Sequence, residues 1–162
     1  MRHDLAHDFA DHEGAALVVG GSGGIGLAIA RMLAQRGSAV ALTYRSRPEA
    51  GEAASAAARE WGVRARAWQL DVTSDSASAD VVDAVAEDFG GLHTLVYAAG
   101  PHVAMKHLSL VSPAQMAAQL AADAAGFFNV VHPALPVLRR DGGGSVVAVT
   151  TAATSRYPAR DG

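Results

Sequence analysis

The stretch "AALVVGGSGGIGLAIARMLAQRG", residues 15–37, decides how the rest of the chain is read. Its first part, residues 15–20, is a short apolar run of the kind a buried parallel strand needs. Its last part, residues 24–37, puts Ile25, Ile29, Met32 and Leu33 at helical spacing, and Gly37 stands where a helix C-terminus is closed by a left-handed residue. Between them lies a glycine turn, Val18 to Gly26. A glycine pattern carries meaning when it follows a strand and opens a helix, which is the context here. Gly20 suits the tight turn, and Gly24 and Gly26 allow a backbone and a pyrophosphate to come close. The main-chain N–H groups around Ser22, Gly23 and Ile25, with the positive end of the helix, would then receive phosphate charge. A nucleotide-triphosphate loop is disfavoured, because no lysine follows the glycines and Lys106 is the only lysine in the chain. The other reading of these glycines is a turn used only for helix–strand packing.

Outward from this turn, strand and helix patterns alternate. Strands are expected at 38–44, 63–70, 92–100 and 144–150, the one at 63–70 with a wetter face. Helices are expected at 48–62, opened by Pro48, at 75–91, and from 113 to about 139, the last entered through a capping box at Ser112 and Gln115 and bent near Pro133 and Pro136. This β-α-β order implies an α/β fold, a doubly wound parallel sheet with helices on both faces. Ligands in such sheets bind at the carboxyl ends of the strands, near the point where the strand order reverses.

Composition agrees. The 162 residues are 50% hydrophobic and 18% charged, enough for one globular domain. Aromatics are only 6%, so the core relies on close backbone packing. The net charge of −3 argues against a nucleic-acid surface, and the absence of cysteine excludes disulfides and thiolate chemistry. Residues 1–13 read as a mobile tail. His3, His7 and His12 with Asp4 and Asp8 make a metal patch conceivable there, although a solvated tail is the plainer reading, and no metal site is expected. That tail carries acids and histidines in place of a signal peptide's apolar core, and the apolar stretch 116–138 is interrupted by Asp123, Asn129, His132 and two prolines. A soluble, cytoplasmic protein without membrane partners is the expectation.

The glycine spacing Gly20-x3-Gly24-x-Gly26 resembles the T-G-x3-G-x-G signature of the short-chain dehydrogenase/reductase family. Downstream motifs follow in the same order: Asp71-Val72 at the end of the third strand, Tyr97-Ala98-Ala99-Gly100 where the family has N-N-A-G, the "GFFNVVHPALP" helix, and the "GGGSVVAVTT" strand. The resemblance covers residues 14–162 and implies a Rossmann-like domain. It also implies that Asp71 accepts from the adenine amino group with the Val72 backbone alongside, and that Ala98, Ala99 and Gly100 line the nicotinamide-side ribose. The alternative role for Asp71 is a helix N-cap.

The turn after the second strand, Thr43-Tyr44-Arg45-Ser46-Arg47, bears on the cofactor. A site selective for NAD needs a carboxylate here for the ribose hydroxyls, and none is present. Cations attract the extra phosphate of NADP, so NADP(H) is favoured, with Arg45 and Ser46 at its 2′-phosphate and Tyr44 among the cofactor-binding residues. The bland alternative is a set of surface arginines before a helix.

For catalysis the resemblance implies a Ser that orients a carbonyl, a Tyr proton donor, a Lys four residues after it, and an Asn on the long helix that supports a proton relay. The Ser position falls on Thr151, whose hydroxyl still donates and accepts, and the Asn position on Asp123. Val19 and Tyr97 depart from the family's Thr and Asn. No Y-x3-K occurs in the chain. Tyr157 follows Thr151 by only six residues, and its lysine position is Asp161, whose charge would push the tyrosine pKa the wrong way. The expectation is therefore the cofactor-binding part of an NADP(H)-dependent oxidoreductase acting on a small carbonyl or alcohol, cut after the fifth strand and inactive on its own. The fifth strand would then stand as an open edge. A non-catalytic nucleotide-binding or regulatory module is the alternative. A methyltransferase is disfavoured, because the glycine turn lacks an acid before it. The resemblance further implies a homo-oligomer through residues 113–139. His102, Met105 and His107 are candidates for the substrate pocket or ordinary loop residues.

Overall fold

The computed structural model describes residues 7–101, 107–140 and 142–151. Among the described residues five parallel strands form one sheet: β1 (Ala15–Val19), β2 (Val40–Tyr44), β3 (Ala65–Gln69), β4 (Leu92–Tyr97) and β5 (Ser145–Ala148), in the order β3-β2-β1-β4-β5. The chain steps outward from β1 through β2 to β3, then returns to β4 on the other side of β1. The order reverses between β1 and β4, where Val19 pairs with Tyr97. The expected strands are present but shorter. β1 stops at Val19 because Gly20 turns away at φ +79°, so beyond Tyr97 the fourth strand keeps only the Ala98 N–H to Val19 carbonyl bond of 2.9 Å.

Alternation along the strands feeds two cores. Ala16, Val18, Val40, Leu42 and Val96 face α1 (Gly24–Gln35) and α2 (Pro48–Arg59). Leu17, Val19, Leu95 and Tyr97 face α3 (Asp75–Phe89) and α5 (Gly126–Arg140). The buried stripe of α1 differs from the expected one. It runs through Gly26, Ala30, Leu33 and Ala34, while Ile25 and Met32 face outward, 62% and 43% exposed. Small residues let the helix axis approach the sheet more closely than isoleucine would, and that gain in contact outweighs burial of the larger side chains. The C-terminus of α1 closes as expected: Gly37 sits at φ +90°, its N–H bonds the Ala34 carbonyl, and the Ser38 N–H bonds Leu33.

The capping box also forms, with the Gln115 N–H on Ser112 Oγ at 3.2 Å and the Ser112 N–H on Gln115 Oε1 at 3.0 Å. It opens α4 (Pro113–Leu120), and a π turn, Ala121–Ala125, joins α4 to α5. At the sheet edge, β5 leaves Val146 and Val147 partly exposed on opposite faces. Among the described residues no helix is long and apolar enough to cross a membrane.

Within the stretch expected as a mobile tail, residues 8–12 make contacts with the fold, and its first six residues lie outside the described ones. Asp8 pairs with Arg36, and the Phe9 N–H bonds the Arg36 carbonyl at 3.1 Å. The Phe9 ring stacks on His93 at 5.4 Å, with the Arg36 guanidinium 5.7 Å from its centre. One aromatic residue thus covers the amino end of the sheet. His12 also packs on His93, at 5.3 Å, and no three metal-ligating side chains gather among the described residues. His3 and Asp4 lie outside them.

His93 is 8% exposed, with Ser38 Oγ 3.2 Å from Nε2 and Thr94 Oγ1 3.0 Å from Nδ1. Burial first, and the charge of His12 second, push its pKa down to about 4 from an ordinary 6.5. The unfolded chain therefore binds a proton that the folded chain refuses. Stability is full above pH 6.5 and falls as the pH drops toward 4, by up to roughly 3 kcal/mol. Urea midpoints measured across this window should drop more steeply for the wild type than for His93→Gln. Parallel slopes would contradict this.

Candidate functional site

The cleft at the switch point begins with the glycine turn. The Gly20 N–H donates to Thr43 Oγ1 at 3.0 Å, which ties the end of β1 to β2. A Cβ on Gly20 would lie 2.9 Å from the Ala98 carbonyl oxygen, and one on Gly26 only 2.3 Å from the Gly20 carbonyl oxygen. Both glycines are needed for backbone-on-backbone contact. At Gly26 the backbone brought close is that of Gly20 and Gly21. Gly23 and Gly24, by contrast, would meet no atom within 4 Å, and Gly24 stands at φ +53°. Gly23 precedes α1 without a side-chain cap, and no acid sits in the helix's first turn. The amide end of α1 is thus open toward the cleft, the condition an anion requires. Ser22 lines the cleft, and the Ile25 side chain in the first turn of α1 is exposed.

The cleft has a volume of about 310 Å³. One wall is the β2–α2 turn, with Tyr44, Arg45, Ser46 and Arg47, backed by Leu70 and Val72. The turn is braced from below. The Tyr44 ring lies on Gly51, where a Cβ would be 2.3 Å from Tyr44 Cδ1, and Gln69 Nε2 donates to the Arg45 carbonyl at 3.1 Å. Asp71 is exposed beside this wall. Its Oδ1 accepts from the Thr73 N–H at 3.0 Å and the Thr73 hydroxyl at 2.8 Å. Those bonds, and more weakly the Arg45 charge, hold its pKa below the usual carboxylate value. Asp71 is not the cap of α3, a role taken by Ser74, whose Oγ accepts from the Ala77 N–H. The Val72 carbonyl accepts from Asn129 Nδ2 at 3.0 Å.

The opposite wall comes from the end of β4: Ala98, Ala99, Gly100 and Pro101, with Ala122 of the π turn. Tyr97, 4% exposed, donates its hydroxyl to the Ala122 carbonyl at 2.6 Å. Burial, with the Asp123 carboxylate second, pushes its pKa up to about 12, so it stays a neutral donor. Gly126 leaves room for that hydroxyl, which a Cβ would approach to 2.8 Å. The π turn coincides with this strut. Asp123 sits just past Ala122. Its Oδ1 is 3.4 Å from where a Gly100 Cβ would lie, and Gln119 Nε2 donates to its Oδ2. Thr151 follows β5 by three residues at the same end of the sheet and is exposed. His107 caps a short turn at Leu108–Leu110 through Ser109 and lines no part of this cleft. His102, Met105, Lys106 and Tyr157 lie outside the described residues.

The supporting roles of Thr43, Gly51, Gln69 and Asn129 have no signal in the sequence. Each acts through a partner far away along the chain or on another element, and no local pattern marks them.

Comparison with known proteins agrees with this geometry. The family model described as short chain dehydrogenase matches residues 14–160. The 3-oxoacyl-(acyl-carrier-protein) reductase of Aggregatibacter actinomycetemcomitans is 37% identical over 136 residues, which is 83% of this chain and 56% of the relative. The crystal structure of an NAD+-bound xylitol dehydrogenase superposes with a TM-score of 0.85 at 32% identity, over 98% of this chain and 58% of that one. A short chain dehydrogenase from Burkholderia cenocepacia J2315 in complex with NADP gives 0.82 at 34%, over 98% and 61%. The chain thus spans somewhat more than half the length of the proteins it matches.

Proposed function

We propose, because this chain belongs to the short-chain dehydrogenase family, that it is the cofactor-binding part of an NADP(H)-dependent oxidoreductase acting on a ketone or secondary alcohol. The observation that carries the cofactor choice is the β2–α2 turn, where Arg45, Ser46 and Arg47 line the cleft without an acid among them. A guanidinium pairs with a 2′-phosphate, and a carboxylate would repel it. Its relatives do not decide the matter, since one structure carries NAD+ and another NADP.

The residues fit a dinucleotide. The open backbone of Gly23 and Gly24 and the uncapped start of α1 suit the diphosphate. Arg45 and Ser46 suit the 2′-phosphate, and Asp71 the adenine side. Ala98, Ala99 and Gly100 present small surfaces and main chain to the other nucleoside. When bound, the nicotinamide supplies or accepts the hydride. Thr151 is the group of this chain suited to hold a substrate carbonyl by its hydroxyl, and Asp123 stands beside Gly100 at the β4 wall. Exposed Met116, Leu120 and Phe128 on the 113–139 stretch favour a homo-oligomer face, and a cytoplasmic setting suits the cofactor.

Calorimetric titration should show NADPH binding at least about tenfold tighter than NADH, the scale of one charge-assisted contact. Equal affinities, or preference for NADH, would overturn the cofactor assignment. A ketone panel with the 162-residue chain should show binding without turnover. If a longer form carrying a Tyr/Lys pair also binds and fails to turn over, the non-catalytic reading replaces this one. Val19, Tyr97 and Asp123 are the departures that favour it.

A further inference from the structure

We propose that the Asp123 carboxylate makes the β4 end of the cleft selective for the oxidation state of the bound nicotinamide, favouring the cationic oxidised ring over the neutral reduced one. This rests on the dinucleotide reading above. The cleft is electrically polarised. Arg45 and Arg47 line its wall on the β2 side of β1, while the wall on the β4 side ends at Gly100, Pro101 and Ala122, with Asp123 against Gly100. A dinucleotide laid across the glycine turn with its 2′-phosphate on Arg45 places its second nucleoside at Ala98–Gly100, because β1 separates the two walls. The carboxylate and the nicotinamide then share one end of the cleft.

Asp123 is held there by its neighbours. Gln119, one turn earlier, donates its amide to Oδ2. The Tyr97 hydroxyl pins the adjacent Ala122 carbonyl to β4, and Gly126 makes room for that hydroxyl. The ion pairs among the described residues join Asp8, Glu52 and Asp88 to arginines, and Asp123 is in none of them. The negative field at β4 is already felt by Tyr97. An amide in the same place would present a dipole without net charge. A carboxylate distinguishes two ring forms that differ by one positive charge. Because Asp123 is exposed, water and salt weaken the effect, and a discrimination of about threefold to fivefold is the scale to expect.

The test compares the affinities of NADP+ and NADPH for the wild type and for Asp123→Asn. The phosphates are common to both ligands, so their ratio isolates the nicotinamide end. The substitution should weaken NADP+ about threefold to fivefold and leave NADPH nearly unchanged. In the wild type, the preference for NADP+ should shrink as ionic strength rises from about 0.01 M to about 1 M, a readout that needs no variant. A ratio unchanged by the substitution and by salt would overturn the proposal while the dinucleotide reading stands. Failure of the wild type to bind either ligand would overturn both.

Discussion

Gly26→Ala is expected to lower the unfolding free energy by about 3 kcal/mol and to abolish dinucleotide binding. The new Cβ would stand 2.3 Å from the Gly20 carbonyl oxygen, 2.9 Å from its carbon and 3.1 Å from Gly21 Cα. All three are backbone atoms, so no flexible side chain can move aside. Either the first turn of α1 lifts from the sheet, or the Gly20 turn shifts. Gly20 is itself trapped between Thr43 Oγ1 and the Ala98–Ala99 backbone. Whichever yields, the open amides of Gly23 and Gly24 lose their position. Gly24→Ala is the control. It introduces a Cβ into open space, so its cost is that of a left-handed backbone alone, about 1 kcal/mol. Urea denaturation followed by circular dichroism separates the two. If Gly26→Ala costs no more than Gly24→Ala, the packing account of the turn is wrong.

Local chemistry was legible in the sequence where one segment contains all of it. The closing role of Gly37 and the Ser112–Gln115 box each need only a few consecutive residues, and both form as read. The parallel sheet was legible because strand and helix periods alternate, and right-handed crossovers leave few ways to stack them. The buried face of α1 was misread for a physical reason. Hydrophobic size pointed to Ile25 and Met32, whereas close approach to the sheet selected Gly26, Ala30 and Ala34. Small residues are nearly silent in a hydrophobicity pattern. The supports of the site were invisible for another reason. Gln69 on Arg45, Asn129 on Val72 and Tyr97 on Ala122 join residues between 24 and 57 positions apart. Tyr97 stood out only as a departure from a motif, and its strut to the π turn is a property of the fold. Phe9 gave no periodic signal, being one ring among acids and histidines.

Arg45→Glu is expected to weaken NADPH binding about 100-fold while sparing or improving NADH. The loss combines two parts. A charge-assisted contact to the 2′-phosphate is worth about 1.5–3 kcal/mol. Replacing it with a carboxylate adds repulsion of about 1 kcal/mol, small because the site is exposed to water. NADH has no phosphate to repel, and the new carboxylate can accept from its ribose hydroxyls. The surrounding backbone should not move. The turn is held by Gln69 through the Arg45 carbonyl and by the Tyr44 ring on Gly51, and neither contact uses the arginine side chain. The substitution therefore reads the charge alone. Titrations at fixed ionic strength measure both ligands, and rising salt should shrink the wild-type preference for NADPH. A loss below about fivefold would mean that Arg45 lies beside the phosphate without pairing to it. Arg47, on the same wall, would then be the residue to exchange next, because no other cation lines this cleft among the described residues.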